Sequence, residues 1–327
     1  MKAVVVGATG FLGAHVLQAL AHSPVDSVVA VARTKRPLAT PPGLPAEFVG
    51  GDSTDFSFVR RLMQEERPDL WVDLSIFDAG TMQNLANAWR ETPTVRRFVA
   101  AGSIAEYGFQ TSPRCPVKED ASLAGEGPYA KGKIQACQIA REAASQHGFP
   151  ICWTVIPQLW GEHDQHGRDC IVPYRLARNL PVVLRGNGRT AMPDGWAGTV
   201  AAAMVHLATT CDAPPIRVNV AGPQILTPLQ FVHWTASVMG TRPRLLHLPH
   251  KLVSKFESET GKRYRNPFAD GDFCMDLSVL QSTGFLPSAT ARQGAEATAR
   301  WHHEQQSRPD PAFDLADELQ KQLSLDL

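Results

Sequence analysis

Short apolar runs alternate with amphipathic segments through the first half of the chain. Six runs have the length and composition of buried strands: Ala3–Val6, Val28–Ala32, Glu47–Val49, Leu70–Leu74, Arg97–Ala101 and Trp153–Ile156. Between them, four segments place apolar residues at helical spacing: Phe11–Ala21, Ser57–Glu66, Gly80–Arg90 and Tyr129–Gln146. Strands that alternate with helices in this way form βαβ units. The pattern therefore predicts an α/β fold built on a doubly wound parallel sheet.

The second half of the chain follows a different pattern. From about Gly161 the alternation gives way to Gly- and Pro-rich segments, which are typical of loops that contact ligands. Ile216–Val220 has the pattern of a strand that returns to the sheet, and Thr227 with Pro228 predicts the start of a helix. We therefore predict a sheet domain formed by residues 1–162 and 197–225. A smaller, discontinuous part is expected over 163–196 and 226–306, followed by an amphipathic helical tail over 307–327.

Charge and composition exclude several classes of protein. The 327 residues carry 32 Lys and Arg against 32 Asp and Glu, so the formal net charge is zero. Nucleic-acid and membrane-surface proteins usually carry a basic surplus or a basic amphipathic helix, so neither partner is predicted. No run of about 18 apolar residues occurs, and Met1–Gly7 makes a poor signal peptide, so we expect a cytoplasmic protein.

The cysteines and histidines do not predict a metal site. The six cysteines are scattered without a C-x-x-C pair, which indicates neither zinc binding nor a disulfide framework. His163 and His166 lie in a loop-like run that lacks a third ligand, so contact with substrate is the alternative left for them.

A glycine-rich segment connects the first predicted strand to the first predicted helix. It places Gly7 at the tight turn, Gly10 where the backbone would approach a pyrophosphate, and Gly13 where the helix packs on the sheet. The free N–H groups and the dipole of a helix N-terminus favour an anion at that point. The spacing is G-x-x-G-x-x-G rather than G-x-G-x-x-G. Because a strand precedes it and a helix follows, it predicts dinucleotide binding.

The end of the second predicted strand indicates which dinucleotide binds. An acidic side chain there would bond the ribose of NAD, but this chain has Ala32 followed by the basic run of residues 33–36. Arg33 in particular suits the 2′-phosphate of NADP, because a guanidinium pairs bidentately with phosphate. The sequence thus favours NADP(H) over NAD(H), and the alternative is a solvated basic loop. Asp52 could accept a hydrogen bond from the adenine amino group or be an ordinary turn residue.

Three residues form a candidate catalytic set. Tyr129 and Lys133 are four residues apart on one face of a predicted helix, where an ammonium could lower the pKa of a phenol. Ser103 follows the fifth predicted strand, at the same sheet edge as the glycine loop, where its hydroxyl could hold a substrate oxygen.

Taken together, these motifs resemble the extended short-chain dehydrogenase/reductases, in the NAD(P)-dependent epimerase/dehydratase branch. The resemblance extends over nearly the whole chain and rests on the glycine loop, Ser103 with Tyr107 and Gly108, Pro116-x-x-Glu119-Asp120, Tyr129-x-x-x-Lys133, Pro157, Gly161, 218–220, Thr227, 276–278 and 284–287. It implies a Rossmann-type sheet domain that binds the cofactor, a substrate-binding second part and a possible homodimer. Ser103, Tyr129 and Lys133 are implied as catalytic residues. The predicted cofactor-binding residues are Gly7, Thr9, Gly10, Phe11, Leu12, Gly13, Arg33, Asp52, Ser53, Ser75, Tyr129, Lys133 and Pro157.

The chain departs from that family pattern in two places. Where the dehydratases are expected to carry an acidic pair it has Ile104 and Ala105, and Glu106 would point to the opposite face of an extended segment. Dehydration is therefore disfavoured. In the stretch 192–200 the chain has Met192 and Thr199 where nucleotide-sugar members usually carry an arginine and an aspartate, which leaves open whether Arg185, Arg189 or Arg265 meets a substrate phosphate.

Three hypotheses follow from the sequence. The first is an NADP-dependent oxidoreductase that moves hydride to or from a hydroxyl- or carbonyl-bearing carbon of a small molecule, with a nucleotide-linked keto-sugar as one candidate substrate. The second is an epimerase that retains its cofactor. The third is a non-catalytic NADP-sensing protein, which would have no need of Ser103, Tyr129 and Lys133 together.

Overall fold

The computed structural model describes residues 1–35, 40–108, 115–164, 167, 169–262, 271–312 and 314–325. Its strands are β1 Lys2–Val6, β2 Ser27–Ala32, β3 Ala46–Gly50, β4 Leu70–Asp73, β5 Arg97–Ala101, β6 Ile151–Val155, β7 Val182–Arg185, β8 Met192–Asp194, β9 Arg217–Asn219, β10 Gly222–Leu226 and β11 Leu245–Leu248. Its α-helices are α1 Phe11–Leu20, α2 Phe56–Glu66, α3 Ala79–Glu91, α4 Gly127–His147, α5 Ile171–Ala177, α6 Ala197–Thr209, α7 Pro228–Val238, α8 His250–Thr260, α9 Ser278–Ser282, α10 Ala291–Glu304 and α11 Ala316–Leu325. None of the helices in these ranges combines the length and the apolar character that crossing a membrane requires.

The central sheet confirms the predicted doubly wound α/β fold. Seven strands pair in parallel in the order β3-β2-β1-β4-β5-β6-β9. The inner strands β1, β4 and β6 are buried almost throughout, whereas the edge strand β3 is not, which is why the inner strands are continuous apolar runs. The chain reverses direction across the sheet between β1 and β4. In open α/β sheets, the crevice beside such a switch point is where ligands bind.

One compact unit is formed by Met1–Pro157, Ala197–Ala221 and Met275–Ser288. In it, β9 pairs with β6 in the register Thr154 to Val218. Met275–Ser288 belongs to this sheet unit, whereas we had assigned all of 226–306 to the substrate-binding part. It lies with the sheet because the Asn219 amide donates to the Asp276 carbonyl at 3.1 Å, and the Asp276 N–H donates to the Val117 carbonyl at 2.9 Å.

A second unit is formed by Gln158–Trp196, Gly222–Cys274 and Ala289–Leu327. It takes residues 158–162 and 222–225, which the sequence pattern assigned to the sheet domain. The physical reason is local pairing, since β10 pairs with β8 in antiparallel fashion and the Trp160 N–H donates to the Gly195 carbonyl. Thr227 and Pro228 start α7 as predicted, with the Thr227 hydroxyl accepting the Gln230 N–H in a capping box.

The predicted tail belongs to the second unit. Leu315 and Leu319 are buried in an apolar cluster with Val183, Leu248, Val253 and Phe256, so α11 is a packed helix. The buried Arg175 guanidinium ties down the segment before it through two 3.0 Å contacts with the Asp314 carboxylate. Phe313 and the Leu323 side chain, which the amphipathic pattern of the tail included, lie outside the described residues.

Candidate active site

The glycine loop between β1 and α1 has the backbone geometry that the sequence predicts. Gly7 has φ +82°, a backbone conformation that residues other than glycine rarely adopt. Its N–H donates to the Val31 carbonyl at 2.9 Å. A Cβ on Gly13 would lie 2.3 Å from the Gly7 carbonyl oxygen, so the loop closes only on a glycine. No side chain caps the N-terminus of α1, where Gly10 is the N-cap. The N–H groups of Phe11 and Leu12 in this first turn thus offer the donors that a pyrophosphate needs.

Most of the predicted cofactor residues line one cleft at the carboxyl edge of the sheet. The cleft has a volume of about 290 Å³, close to the lower end of the usual range of about 300–1,000 Å³ for ligand pockets. It brings together Gly7, Thr9, Gly10, Arg33, Asp52, Ser53 and Ser75. The glycine loop and Arg33 therefore line the same cleft.

The part of the cleft beyond β2 combines the Arg33 cation with local hydrogen bonds. Ala32 and Arg33 both line it, and Arg33 is exposed. The Asp52 carboxylate accepts from the Thr54 N–H at 3.0 Å and from the Thr54 hydroxyl at 2.9 Å. These hydrogen bonds, with a smaller contribution from Arg33, lower the pKa of Asp52. Both hydrogen bonds are made by the same carboxylate oxygen of Asp52, so Asp52 stabilises a turn, which is one of the two roles that we considered. Its second oxygen can still accept a hydrogen bond from a ligand.

Ser53 follows β3 and Ser75 follows β4, and their side chains bond to each other although two strands separate β3 from β4 in the sheet. Their hydroxyl oxygens lie 3.0 Å apart. The Ser75 hydroxyl also donates to the buried Asp73 carboxylate at 3.0 Å, and burial raises the pKa of Asp73. The two serine side chains give this part of the cleft a polar lining.

Ser103 begins a short 3₁₀ helix, Ile104–Tyr107, rather than the extended segment that we predicted. Its hydroxyl oxygen accepts the Ala105 N–H at 3.2 Å, and its own N–H donates to the Glu106 carboxylate at 2.8 Å, which together make a capping box. The turn changes the place of Glu106. The carboxylate lies beneath Ser103, fully buried, instead of on the opposite face of a strand.

Tyr129 and Lys133 lie on α4 beside Ser103. The Lys133 ammonium is 2% exposed and donates to two carbonyl oxygens, Ile76 at 2.5 Å and Ala101 at 2.7 Å. It lies 5.9 Å from the centre of the Tyr129 ring. Tyr129 is 50% exposed, and the Ser103 side chain lowers the pKa of its phenol. The structure thus brings the three predicted catalytic residues together at the carboxyl edge of the sheet.

The electrostatics of this group differ from our expectation. Burial raises the pKa of Tyr129, the Ser103 hydrogen bond opposes that rise, and the Glu106 charge adds to it. Burial lowers the pKa of Lys133 to about 8, against the Glu106 and Asp73 charges. We predicted that Lys133 would lower the pKa of Tyr129, but in this structure burial outweighs any such effect. The ammonium is held by two backbone carbonyls rather than by the phenol.

Sequence reasoning missed one aromatic residue of the site. Phe77 lines the cleft, is 51% exposed, and has its ring centre 6.2 Å from that of Tyr129 and 4.7 Å from the Lys133 ammonium. It follows β4 at the sheet edge. The argument from strand ends that selected Ser103 would have found it.

The remaining predicted residues are less directly connected to this group. Pro157 follows β6 and is buried, next to Ile156, whose carbonyl accepts the Ile104 N–H at 2.9 Å. In the second unit, the Arg185 guanidinium pairs with the Glu257 carboxylate at 3.0 Å. His163 lies there with its ring 5.1 Å from that of Trp301. Arg36, His166 and Arg265 lie outside the described residues, and no group of three metal-ligating side chains is found among those described.

Comparison with known proteins identifies the family. The model of the NAD dependent epimerase/dehydratase family matches residues 3–221, which include the glycine loop, Ser103, Tyr129 and Lys133. The chain belongs to the NAD dependent epimerase/dehydratase family. This confirms the resemblance found in the sequence, and the chain is an oxidoreductase of the extended short-chain dehydrogenase/reductase type.

Other members of this family resemble the chain over most of its length. A dTDP-glucose 4,6-dehydratase of Xanthomonas campestris pv. campestris (strain B100) is 22% identical over 91% of this chain and 92% of its own. The UDP-glucose 4-epimerase of Thermotoga maritima, solved with UDP-glucose, superposes with a TM-score of 0.74 at 16% identity over 94% of this chain and all of its own. A UDP-glucuronic acid 4-epimerase of Bacillus cereus, solved with NAD, gives a TM-score of 0.71 at 17% identity over 93% of this chain and 99% of its own. At these identities the solved structures establish the shared fold.

Proposed function

We propose that the protein is an NADP-dependent oxidoreductase that transfers hydride between the nicotinamide and a carbon that bears a hydroxyl or carbonyl group. The observation that carries this proposal is the placement of Lys133, whose ammonium lies 5.9 Å from the centre of the Tyr129 ring and donates at 2.7 Å to the carbonyl of Ala101, two residues before Ser103. A cofactor sensor needs no such arrangement. The substrate we propose is a small molecule, and a nucleotide-linked keto-sugar is one candidate because the Thermotoga maritima epimerase was solved with UDP-glucose.

The three side chains divide the chemistry of carbonyl reduction. A nicotinamide cofactor held by the glycine loop would supply the hydride for the carbonyl carbon. Ser103 holds the carbonyl oxygen, and the Tyr129 hydroxyl gives its proton to that oxygen, so that C=O becomes CH–OH. Lys133 places a positive charge near the phenolate that remains, which regains its proton from solvent. The raised pKa of Tyr129 suits this direction, because the phenol must hold a proton before it can give one.

Arg33 is proposed to select the phosphorylated cofactor. Replacing Arg33 by Ala should weaken NADPH binding by about 10- to 100-fold while changing NADH binding by less than about threefold, since the lost contact is a charge-assisted bond to phosphate. Titration of the nicotinamide fluorescence of each cofactor measures both constants. Arg96, which directly precedes β5, has a side chain that is 84% exposed and lies outside the cleft, so Arg96→Ala is the matched control. Equal affinity of the wild-type protein for NADH and NADPH would instead support NAD, the cofactor named with the Bacillus cereus neighbour.

The pH dependence of turnover should report on Lys133. Because burial lowers its pKa to about 8, the side chain is an ammonium below pH 8 and loses its charge above it. We expect the rate of carbonyl reduction to fall by about tenfold per pH unit above pH 8 where the ammonium is required. Rates at saturating NADPH between pH 6 and 10 test this. Lys131→Met, on the exposed face of the same helix, should keep the decline, and a flat wild-type profile would contradict the role of Lys133.

Epimerisation is the second candidate, because the neighbours solved with UDP-glucose and with NAD are named as epimerases. Purified protein, NADPH and a panel of keto compounds, nucleotide-linked keto-sugars included, distinguish the two. Stoichiometric oxidation of NADPH supports the reductase, whereas turnover without net change in cofactor supports the epimerase. Ile104 and Ala105 carry no acid or base, so we propose no dehydration, although the Xanthomonas relative is named as a dehydratase. A homodimer is also proposed, and light scattering coupled to size exclusion tests it.

A further inference from the structure

Glu106 is a buried carboxylate that the proposed mechanism does not use. It is 0% exposed and lies one helical turn below Ser103 in the 3₁₀ segment. One oxygen accepts the Ser103 N–H at 2.8 Å and the Trp153 indole N–H at 3.0 Å, and the other accepts from the Arg217 guanidinium at 3.0 Å. A buried charge is costly to keep unless it is paired and hydrogen-bonded, and here both conditions are met.

The surroundings of Glu106 leave no room for it to move. A Cβ on Gly102 would lie 2.7 Å from the Glu106 oxygen and 2.3 Å from the Trp153 indole nitrogen, so the backbone packs directly on this contact. Arg217 is itself held, because its guanidinium donates to the Glu119 carbonyl and lies 4.8 Å from the centre of the Tyr107 ring. The carboxylate is therefore fixed under the backbone of Ser103.

The same carboxylate acts on the two other residues of the catalytic group. Its charge raises the pKa of Tyr129, as a secondary effect after burial, and opposes the lowering of the Lys133 pKa by burial. A negative charge at this point favours a protonated phenol and a protonated amine. The other titratable and charged groups that face Glu106 or its partners are Asp73 on β4, Tyr107, Glu119, Cys137 on α4 and Arg217 on β9.

We propose that Glu106, paired with Arg217, is a positioning residue that orients the Ser103 hydroxyl beside Tyr129 and keeps Tyr129 a proton donor. It fixes Ser103 through the backbone N–H, which leaves the hydroxyl to accept from Ala105 and to meet Tyr129. By favouring the protonated phenol, the Glu106 charge keeps Tyr129 in the form that can give a proton to a carbonyl oxygen, which is the form that reduction requires. This inference rests on the proposed function, because it concerns Ser103 and Tyr129 as partners in hydride transfer.

The test follows the ionisation of Tyr129 and needs no substrate. Absorbance at the tyrosinate band is titrated in full-length protein and in the same protein carrying Tyr129→Phe, and the difference isolates Tyr129. In Glu106→Gln, which keeps an oxygen acceptor but removes the charge, the midpoint should move measurably to lower pH. Glu119→Gln is the matched control: Glu119 lies beside Arg217 and accepts the Asn219 N–H at 2.9 Å, and its charge does not contribute at Tyr129. It should leave the midpoint in place.

A double variant keeps the proposal testable where Glu106→Gln folds poorly. Glu106→Leu with Arg217→Met replaces the ion pair by apolar side chains, so no charge is left unpaired. The Tyr129 midpoint should again move down. Exchange of the Ser103 amide hydrogen should be faster than in the wild type by at least tenfold in this variant and unchanged in Glu106→Gln, which retains the acceptor.

An unchanged or raised Tyr129 midpoint in either variant overturns the proposal. So does a Ser103 amide that stays protected in the double variant. These results are independent of turnover: if Tyr129→Phe retains full activity, the proposed function fails, whereas the titration still reports whether Glu106 controls the phenol.

Discussion

Replacement of Tyr129 by Phe should reduce kcat/KM for hydride transfer by about 10²- to 10⁴-fold, the range expected when a general acid is removed. The phenyl ring preserves the shape of the side chain and its 6.2 Å contact with Phe77, but it has no proton to give to a carbonyl oxygen. Ser103 does not replace it, because an aliphatic hydroxyl is a far weaker acid than a phenol and the role proposed for Ser103 is to hold the substrate oxygen. The rate is measured with the keto compound that gives the fastest oxidation of NADPH in the panel.

The binding of NADPH separates a loss of chemistry from a loss of structure. We expect its dissociation constant in Tyr129→Phe to stay within about threefold of the wild type, because the glycine loop and Arg33 carry most of the contact. Tyr174→Phe is the matched control, since Tyr174 lies in the second unit with its ring 3.9 Å from the Arg178 guanidinium. It should leave both constants unchanged. Full activity in Tyr129→Phe with intact NADPH binding would contradict the catalytic assignment and favour the sensor hypothesis.

The sequence predicts those parts of the site that depend on local spacing. The strand, glycine loop and helix over residues 2–20 follow from an apolar run and three glycines, because close approach of backbones tolerates no side chain there. Tyr129 and Lys133 share one face because α4 is regular over their interval. The ends of parallel strands meet at one sheet edge, so the order of strands along the chain is enough to place Ser75 and Ser103 at that edge.

The parts that the sequence did not predict depend on contacts between distant residues. Glu106 and Arg217 are 111 residues apart, and no local spacing relates them. Ser103 starts a 3₁₀ helix because the Glu106 side chain accepts a hydrogen bond from the Ser103 N–H. We had predicted an extended segment, in which this hydrogen bond does not form. The pKa of Tyr129 likewise depends on burial and on the Glu106 charge, both of which arise from tertiary structure. Met275–Ser288 returns to the sheet unit through hydrogen bonds to Asn219 and Val117 rather than through a recognisable strand.

Arg217→Met should have the largest effect on stability, lowering the free energy of unfolding by about 3–5 kcal/mol. The variant leaves Glu106, which is 0% exposed, without its counter-ion and with only the Ser103 and Trp153 N–H groups as partners. Denaturant titration at pH 7, followed by fluorescence of the buried tryptophans and by far-UV circular dichroism, measures the change. Arg141→Met, on the exposed face of α4, is the matched control and should cost less than about 0.5 kcal/mol.

The double variant Glu106→Leu with Arg217→Met should recover most of that loss and lie within about 1 kcal/mol of the wild type. Replacing a whole buried ion pair by apolar side chains removes the cost of keeping two charges from water, whereas removing one partner leaves that cost uncompensated. A recovery in stability without a recovery in the Tyr129 midpoint would show that the pair is kept for the chemistry of the site rather than for the fold. If the double variant is as unstable as Arg217→Met, the loss comes from packing around Tyr107 and Glu119, where the guanidinium also makes contact. The unpaired charge would then not be its cause.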